Sequence, residues 1–243
     1  MGAEAATLAR EFGLGLEIAE FSYAANMDTD FPRWDALTRA NLVGIERRIF
    51  HAPFNELCPA AVDPLVAELT RRRLEQAYAL MRHFTINRMV VHSGYVPHIY
   101  VKSWFAERSA QFWRAFLYDK PPDFSLLLEN VMEESPDMLC DIITQTGDTR
   151  FRLCLDIGHA GGVFSKLPVE RWIEDTAPYL NHVHVHNNYR ASDLHNPPGD
   201  GLIDMASALA RISDLQPGAT YTLETSDLRR AVSWLTNNGF LNS

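Results

Sequence analysis

Lysine, cysteine and long apolar runs are all scarce in this sequence of 243 residues. Lysine occurs only at positions 102, 120 and 166, and the formal net charge is −9. Because binding to a phosphate backbone depends on Lys and Arg neutralising the phosphates, this balance argues against broad nucleic-acid binding. The arginine clusters at 71–73 and 229–230 are interpreted as solvated helix faces.

The three cysteines, Cys58, Cys140 and Cys154, are far apart, and none belongs to a Cys-x-x-Cys pair. They indicate neither a disulfide framework nor a thiolate zinc site, so we expect reduced and packed thiols. No run of about 18 apolar residues occurs, so no membrane-spanning segment is expected. Glu4 stands where a signal peptide needs basic residues and an apolar core, and we therefore expect a cytoplasmic protein.

What the sequence does contain is a regular alternation of short apolar runs with longer segments of helical period. Strands are predicted at 14–21, 48–54, 88–94, 125–131, 151–157, 182–188 and 220–225. Helices are predicted at 3–12, 33–43, 61–84, 103–118, 136–146, 168–178, 204–213 and 226–238. This alternation implies parallel strands with helical crossovers, so the predicted fold class is α/β and the architecture a TIM (β/α) barrel. Since such a barrel has eight strands and seven are found, the first strand is predicted to be absent or truncated, with a barrel open at one seam as the alternative.

Histidines and acidic residues lie at or just beyond the ends of six of these strands, where the active sites of (β/α) barrels form. In chain order they are His51, His92, Glu129, Asp156 with His159, His184, Asp193 with His195, and Glu224. Period-two alternation places Glu129 on the same face as Leu127. It also places His182, His184 and His186 on one face of their strand, so we expect a column of imidazoles inside the barrel with His182 below the site.

A single histidine or carboxylate at a strand end is more often structural than functional, but the cluster as a whole is informative. Four carboxylates at one rim need a counter-charge, which Arg190 alone cannot supply. A divalent metal is the economical answer, and mixed histidine and carboxylate ligation favours zinc, manganese or iron over calcium. The sequence therefore predicts a metal site formed by the nine residues named above.

In this order, the residues resemble the superfamily that joins endonuclease IV-type AP endonucleases with xylose isomerase-like sugar isomerases and epimerases. The resemblance runs from about residue 14 to the C-terminus, and it implies that 1–243 is a single xylose isomerase-like TIM-barrel domain. Its motifs are His51-Ala52-Pro53-Phe54, His92-Ser93-Gly94, Leu128-Glu129-Asn130, Leu155-Asp156-Ile157-Gly158-His159, His184-Val185-His186-Asn187, Asp193-Leu194-His195 and Leu223-Glu224-Thr225.

The resemblance to endonuclease IV implies phosphoester hydrolysis at a site with up to three zinc ions. It implies three ligand sets, which are His51 with His92 and Glu129, then Glu129 with Asp156, His184 and Glu224, and finally His159 with Asp193 and His195. Three zinc ions would leave the site positive and suited to a phosphodiester, whereas one ion would leave it negative and suited to a neutral sugar. We favour the hydrolase, because a one-metal isomerase has no evident use for Asp193 and His195. The expected substrate is a small phosphoester or DNA, although the acidic charge does not favour DNA.

The resemblance to the ketohexose epimerases implies instead one divalent ion, Mn²⁺ or Mg²⁺, held by Glu129, Asp156, His184 and Glu224. Glu129 and Glu224 would then also exchange the carbon-bound proton of a sugar or sugar phosphate, while His159 and Arg190 would contact sugar oxygens. His186 is a further candidate to contact the substrate or to support a ligand. A third alternative is a barrel that binds metal without catalysing a reaction.

Overall fold

The structure is a computed structural model that describes residues 2–241. Its strands are β1 (Leu16–Ile18), β2 (Arg48–His51), β3 (Arg88–His92), β4 (Ser125–Glu129), β5 (Phe151–Asp156), β6 (Leu180–Val185) and β7 (Thr220–Leu223). Its α-helices are α1 (Gly2–Glu11), α2 (Ala25–Asp28), α3 (Phe31–Leu42), α4 (Pro64–His83), α5 (Lys102–Leu117), α6 (Asp137–Thr146), α7 (Ile157–Ala160), α8 (Val169–Thr176), α9 (Met205–Leu215) and α10 (Leu228–Asn237).

All seven strands are parallel and follow one another in chain order from β1 to β7. The predicted α/β class, the TIM-barrel architecture and the count of seven strands are therefore confirmed. The short helices α2 and α7 were not predicted, because four residues cannot display a helical period. The sixth strand ends at Val185 rather than at 188, since Asn187 leaves the sheet and pairs with Asn196 instead.

Along each strand, successive side chains point to opposite faces of the sheet. Leu126 and Leu128 pack in the large cluster that includes helix residues, whereas Leu127 belongs to a separate small cluster. That small cluster consists of Ile49, Val90, Leu127 and Cys154, one residue from each of four consecutive strands. Two residues further along these strands come His51, His92, Glu129 and Asp156. The alternation thus builds an apolar layer and, above it, a polar rim on the same inner face.

The barrel is nearly closed, and a side chain bridges the two edge strands. Among residues 2–241, no backbone ladder joins β7 to β1. The hydroxyl of Thr222 on β7 donates a hydrogen bond of 2.6 Å to Glu17 Oε2 on β1. Glu17 is almost fully buried, with 6% of its side chain exposed, and its carboxylate also contacts β6. A polar network therefore takes the place of strand pairing at this seam.

Within residues 2–241, no helix combines the length with the apolar character that crossing a bilayer would require.

Candidate metal centre

Directly after β5, the segment from Asp156 to His159 brings two candidate ligands, Asp156 and His159, to the rim. Asp156 caps the single-turn helix α7, because its Oδ1 accepts the backbone N–H of His159 at 2.7 Å. Asn130, at the end of the preceding strand, accepts the N–H of Asp156 at 2.8 Å and donates to the Asp156 carbonyl at 3.0 Å. Asp156 and His159 are thus held by backbone contacts on both sides.

Position 158, between Asp156 and His159, is a glycine because the ring of His186 occupies the space that a side chain would need. A Cβ at this position would lie 2.0 Å from His186 Cε1. The ring of His186 is itself held, since its Nε2 lies 2.9 Å from Asp156 Oδ1 and its face stacks on His195 at 4.0 Å. Glycine is required here by close approach rather than by an unusual backbone conformation.

The first group of candidate ligands comprises His51, His92 and Glu129, from three consecutive strands. Glu129 Oε2 lies 3.2 Å from His51 Nε2 and 3.2 Å from His92 Nε2. The ring of Phe54 stacks on His92 at 4.1 Å and covers it. The carboxylate of Glu129 is thus shared by two imidazoles on one side.

The second group comprises Glu129, Asp156, His184 and Glu224. His184 Nδ1 lies at its centre, 3.4 Å from Glu129 Oε1 and 3.1 Å from Glu224 Oε2. Asp156 Oδ2 is 3.9 Å from the same nitrogen. Glu129 therefore belongs to both groups, with one oxygen turned to each.

The third group comprises His159, Asp193 and His195, together with His186. Asp193 Oδ2 lies 3.1 Å from His159 Nε2 and 2.9 Å from His195 Nε2. This group is the most open of the three, since 47% of the Asp193 side chain is exposed against 2% of Glu129. All nine predicted ligand residues are thus brought together at one rim, and their role as ligands remains a prediction.

Four of the imidazoles are oriented by a contact at one ring nitrogen, while the other nitrogen lies near a candidate ligand carboxylate. Nδ1 of His51 faces the Ala52 carbonyl, Nδ1 of His159 faces the Asn130 carbonyl, and Nδ1 of His195 faces the Glu224 carbonyl, each at 2.9 Å. His184 is held the other way round, with Nε2 facing Glu17 Oε1 at 3.1 Å. A bond of this kind on the outer nitrogen is what fixes the tautomer and ring orientation of metal-ligating histidines.

The residues pass a simple test for holding a cation. His184 Nδ1 and Glu224 Oε2 are buried and only 3.1 Å apart, yet neither atom has a hydrogen-bond partner within residues 2–241. Buried polar atoms are rarely left in this state, because each costs about 1–3 kcal/mol when unsatisfied. Buried polar atoms that converge without a hydrogen bond between them are suited to a divalent cation at that point.

The histidines of the site lower the pKa values of its buried carboxylates. Burial would raise the pKa of Glu129, but His92 and His184 hold it well below its usual range. Burial would likewise raise the pKa of Asp156, and His159 and His186 lower it. These carboxylates therefore stay ionised in the interior.

The imidazoles show the reciprocal effect. Burial alone would lower the pKa of His51, whereas Glu129 raises it to about 9. Against the same burial, Asp156 and Asp193 raise the pKa of His159 to about 10, and Asp193 raises that of His195 to about 9. Without a metal, protons on these rings balance the carboxylate charge.

Two residues predicted to contact substrate occupy different surroundings. Arg190 is exposed, and its Nε donates to the Gly161 carbonyl at 3.2 Å. Within residues 2–241, Arg190 forms no ion pair with the site carboxylates, so they lack a permanent protein counter-charge. His186 is fully buried against Asp156 and lies within the third group.

Sequence reasoning missed two residues of the site, Glu17 and the side chain of Asn130. Only Glu17 had a signal in the sequence. Glu17 follows Leu16 in an apolar run, as Glu129 follows Leu128 and Glu224 follows Leu223. Asn130 stands next to a predicted ligand, but a side chain that binds a neighbouring backbone leaves no periodic signal.

A cavity of about 360 Å³ opens among the loops that follow β3, β4 and β5. It is lined mainly by apolar side chains, together with His98, Glu134 and Lys166. One lining residue, Met132, follows Glu129 by three positions, so their Cα atoms are at most about 11 Å apart.

Fold and site together define a TIM barrel that carries a histidine and carboxylate cluster at the C-terminal ends of its strands. A model of the xylose isomerase-like TIM barrel family matches residues 9–238, and the chain belongs to this family. It is 24% identical over 193 residues to the uncharacterised protein MJ1311 of Methanocaldococcus jannaschii, a match that covers 76% of this chain. The match spans 66% of that relative, just under two thirds of its length.

Two solved structures show the same fold. One is the TTHB071 protein of Thermus thermophilus soaked with zinc chloride, 24% identical with a TM-score of 0.73, covering 97% of this chain and 92% of that one. The other is D-psicose 3-epimerase of Clostridium cellulolyticum H10 with D-tagatose, 16% identical with a TM-score of 0.73, covering 98% and 93%. The match to the family model confirms the predicted superfamily, and these structures agree with it in fold.

Proposed function

We propose that the protein is a divalent-metal-dependent phosphoester hydrolase whose ligands hold up to three ions, with zinc as the expected metal. The observation that carries the proposal is the sharing of Glu129 between two ligand groups, with a third group of His159, Asp193 and His195 beside them. A site for one ion would use only the second group. Two further groups of matched imidazoles and carboxylates would then have no purpose.

The candidate ligands differ in burial, and this difference suggests different roles. His51, His92, Glu129 and Asp156 come from rigid strands, which suits ligands that hold ions permanently. Asp193 and His195 come from the loop before α9 and are partly exposed, so this group would meet the substrate and solvent. Ions in such a site polarise a phosphoryl oxygen and lower the pKa of water.

The loops that follow β3, β4 and β5 form a small, mainly apolar cavity with a few charged side chains. Lys102 and Lys166 both pair with Glu134 at the cavity, Lys102 at 2.9 Å. Two of the chain's three lysines therefore lie beside the cavity, both paired with Glu134. Because one or two charged residues and an apolar wall form a small pocket, we expect a small phosphoester rather than a duplex.

The test combines metal content with activity. We expect elemental analysis of the purified protein to give about three zinc ions per chain and hydrolysis of a small aryl phosphodiester. Asp193→Ala should lose one ion and nearly all activity, while Asp200→Asn, on the same loop but bonded to Tyr189 and Arg230, should keep both. One ion per chain with an active Asp193→Ala variant would refute the proposal.

Sugar isomerisation or epimerisation at a single ion is the second candidate. The comparisons favour it over hydrolysis, since the structural neighbours include D-psicose 3-epimerase and a D-tagatose 3-epimerase-like protein. We rank it second because identities below 25% speak for the fold, whereas the three ligand groups belong to this chain itself. Under this reading, Glu129 and Glu224 would move the substrate proton on either side of the sugar.

The two candidates predict opposite results for a ketohexose or ketose phosphate. The epimerase would exchange solvent deuterium into the sugar with one Mn²⁺ or Mg²⁺ bound, and it would tolerate Asp193→Ala. The hydrolase would show no exchange. Metal bound without turnover of either substrate class would favour the third alternative, a binding protein.

A further inference from the structure

His184 is oriented differently from the other ligand imidazoles. His51, His159 and His195 each direct Nδ1 to a backbone carbonyl. His184 directs Nδ1 to the carboxylate cluster, and its Nε2 faces Glu17, at 3.1 Å from Oε1 and 3.3 Å from Oε2. The group that holds this ring is therefore an ionisable side chain from the opposite edge of the barrel.

We propose that Glu17 is a positioning residue of the metal centre, whose carboxylate accepts the Nε2–H of His184 and so directs the Nδ1 lone pair toward Glu129 and Glu224. This inference rests on the metal-binding part of the proposed function alone, and it holds for either reaction. Strand β1 supplies no candidate ligand among the described residues. Through Glu17, strand β1 nevertheless determines the orientation of His184, the central ligand of the second group.

The surroundings of Glu17 leave its carboxylate little freedom to turn away. Thr222 donates to Oε2 at 2.6 Å, and His182 Nε2 lies 3.2 Å from the same oxygen. His182 is held in turn by Thr220, whose Oγ1 lies 2.7 Å from Nδ1. The network fixes Glu17 from β6 and β7, and Glu17 fixes His184.

A carboxylate has an advantage over a carbonyl at this position. A negatively charged acceptor on the outer nitrogen raises the basicity of the inner one, and the loss of such a partner typically costs 10–100-fold in metal affinity. A carbonyl orients the ring without that charge. His184, which is fully buried, thus has a charged partner on its outer nitrogen.

Glu17 also bridges the barrel seam, so the test must separate positioning from folding. The variant is Glu17→Gln, which keeps the shape and an acceptor oxygen but removes the charge. The matched control is Thr220→Val, which disturbs the same buried network through His182 without touching Glu17 or His184. Calorimetric titration with zinc measures affinity, and thermal unfolding of the metal-free proteins measures the structural effect.

We expect Glu17→Gln to weaken zinc binding by about 10–100-fold, while Thr220→Val binds zinc like the wild type. A Glu17→Gln protein that is folded and has wild-type affinity would overturn the inference. The zinc-loaded wild type provides a test without any variant, since nitrogen NMR should find the His184 proton on Nε2. A proton on Nδ1 would overturn the inference as well. Wild-type protein that binds no zinc would instead refute the proposed function.

Discussion

His184 Nδ1 and Glu224 Oε2 lie 3.1 Å apart in the interior of the barrel rim, and neither has a hydrogen-bond partner in the described part of the chain. His184 is at the end of β6, and Glu224 immediately follows β7. Two adjacent strands thus direct polar atoms without hydrogen-bond partners at the same point. This relationship connects the fold to the metal chemistry, and it makes the effect of metal on stability measurable.

Zinc should stabilise the folded protein. A ligand at a hundred times its dissociation constant adds about 2.7 kcal/mol to the free energy of unfolding. For a chain of this size, that corresponds to an increase in Tm of roughly 5–11 °C. Differential scanning calorimetry with zinc and with a chelator measures the shift, which His184→Ala should reduce or abolish. Equal Tm values under both conditions in the wild type would contradict the prediction.

Glu129→Gln should affect two ions, whereas a change at Asp193 should affect one. The reason is that Glu129 contributes an oxygen to each of two ligand groups, and Asp193 belongs to the third group alone. Elemental analysis of the two purified variants distinguishes these outcomes. If Glu129→Gln lost a single ion, its carboxylate would not bridge.

Zinc binding should release protons at neutral pH. In the metal-free protein the pKa values of His51, His159 and His195 are raised to about 9 or 10, so these rings are protonated at pH 7, and they must lose that proton to bind metal. Apparent affinity should therefore rise with pH up to about 9–10. Calorimetry in buffers of different ionisation enthalpy counts the protons released. Binding without release at pH 7 would exclude these rings as ligands.

The same three histidines predict how the stability of the metal-free protein depends on pH. Their folded pKa values lie above the unfolded value of 6.5. The stability they contribute is fully present below pH 6.5 and is lost as the pH rises through 9–10. Urea unfolding of the metal-free protein across this pH range should show the decline in the free energy of unfolding. The zinc-loaded protein should show no such decline.

Gly158→Ala should damage the site by overpacking. The new methyl group would meet the His186 ring at 2.0 Å, and that ring cannot move without losing its contact with Asp156. We expect a loss of about 1–3 kcal/mol in unfolding free energy, together with weaker zinc binding. Gly218→Ala is the control, because nothing lies within 4 Å of its Cβ position. Equal stability of the two variants would show that the ring can be displaced.

The amino-acid sequence by itself determined the alternation of strands and helices, and with it the position of the polar residues. Ile49 and His51, or Leu127 and Glu129, are two residues apart on a strand, so any parallel barrel must place them on one inner face. The candidate ligands on strands could be named for this reason, and the other four because they follow the ends of strands. Local periodicity carries that information without any knowledge of long-range contacts.

Only the tertiary structure decided how the rings are oriented and which residues support them. Glu17 and His184 are separated by 167 residues, and their contact exists only because the barrel curls β1 back toward β6 and β7. The grouping of the ligands around Glu129, the packing of His186 on Gly158 and the anchoring of Asp156 by Asn130 arise in the same way. Such contacts depend on the curvature of the sheet and on the reach of each side chain, which no periodic pattern in the chain records.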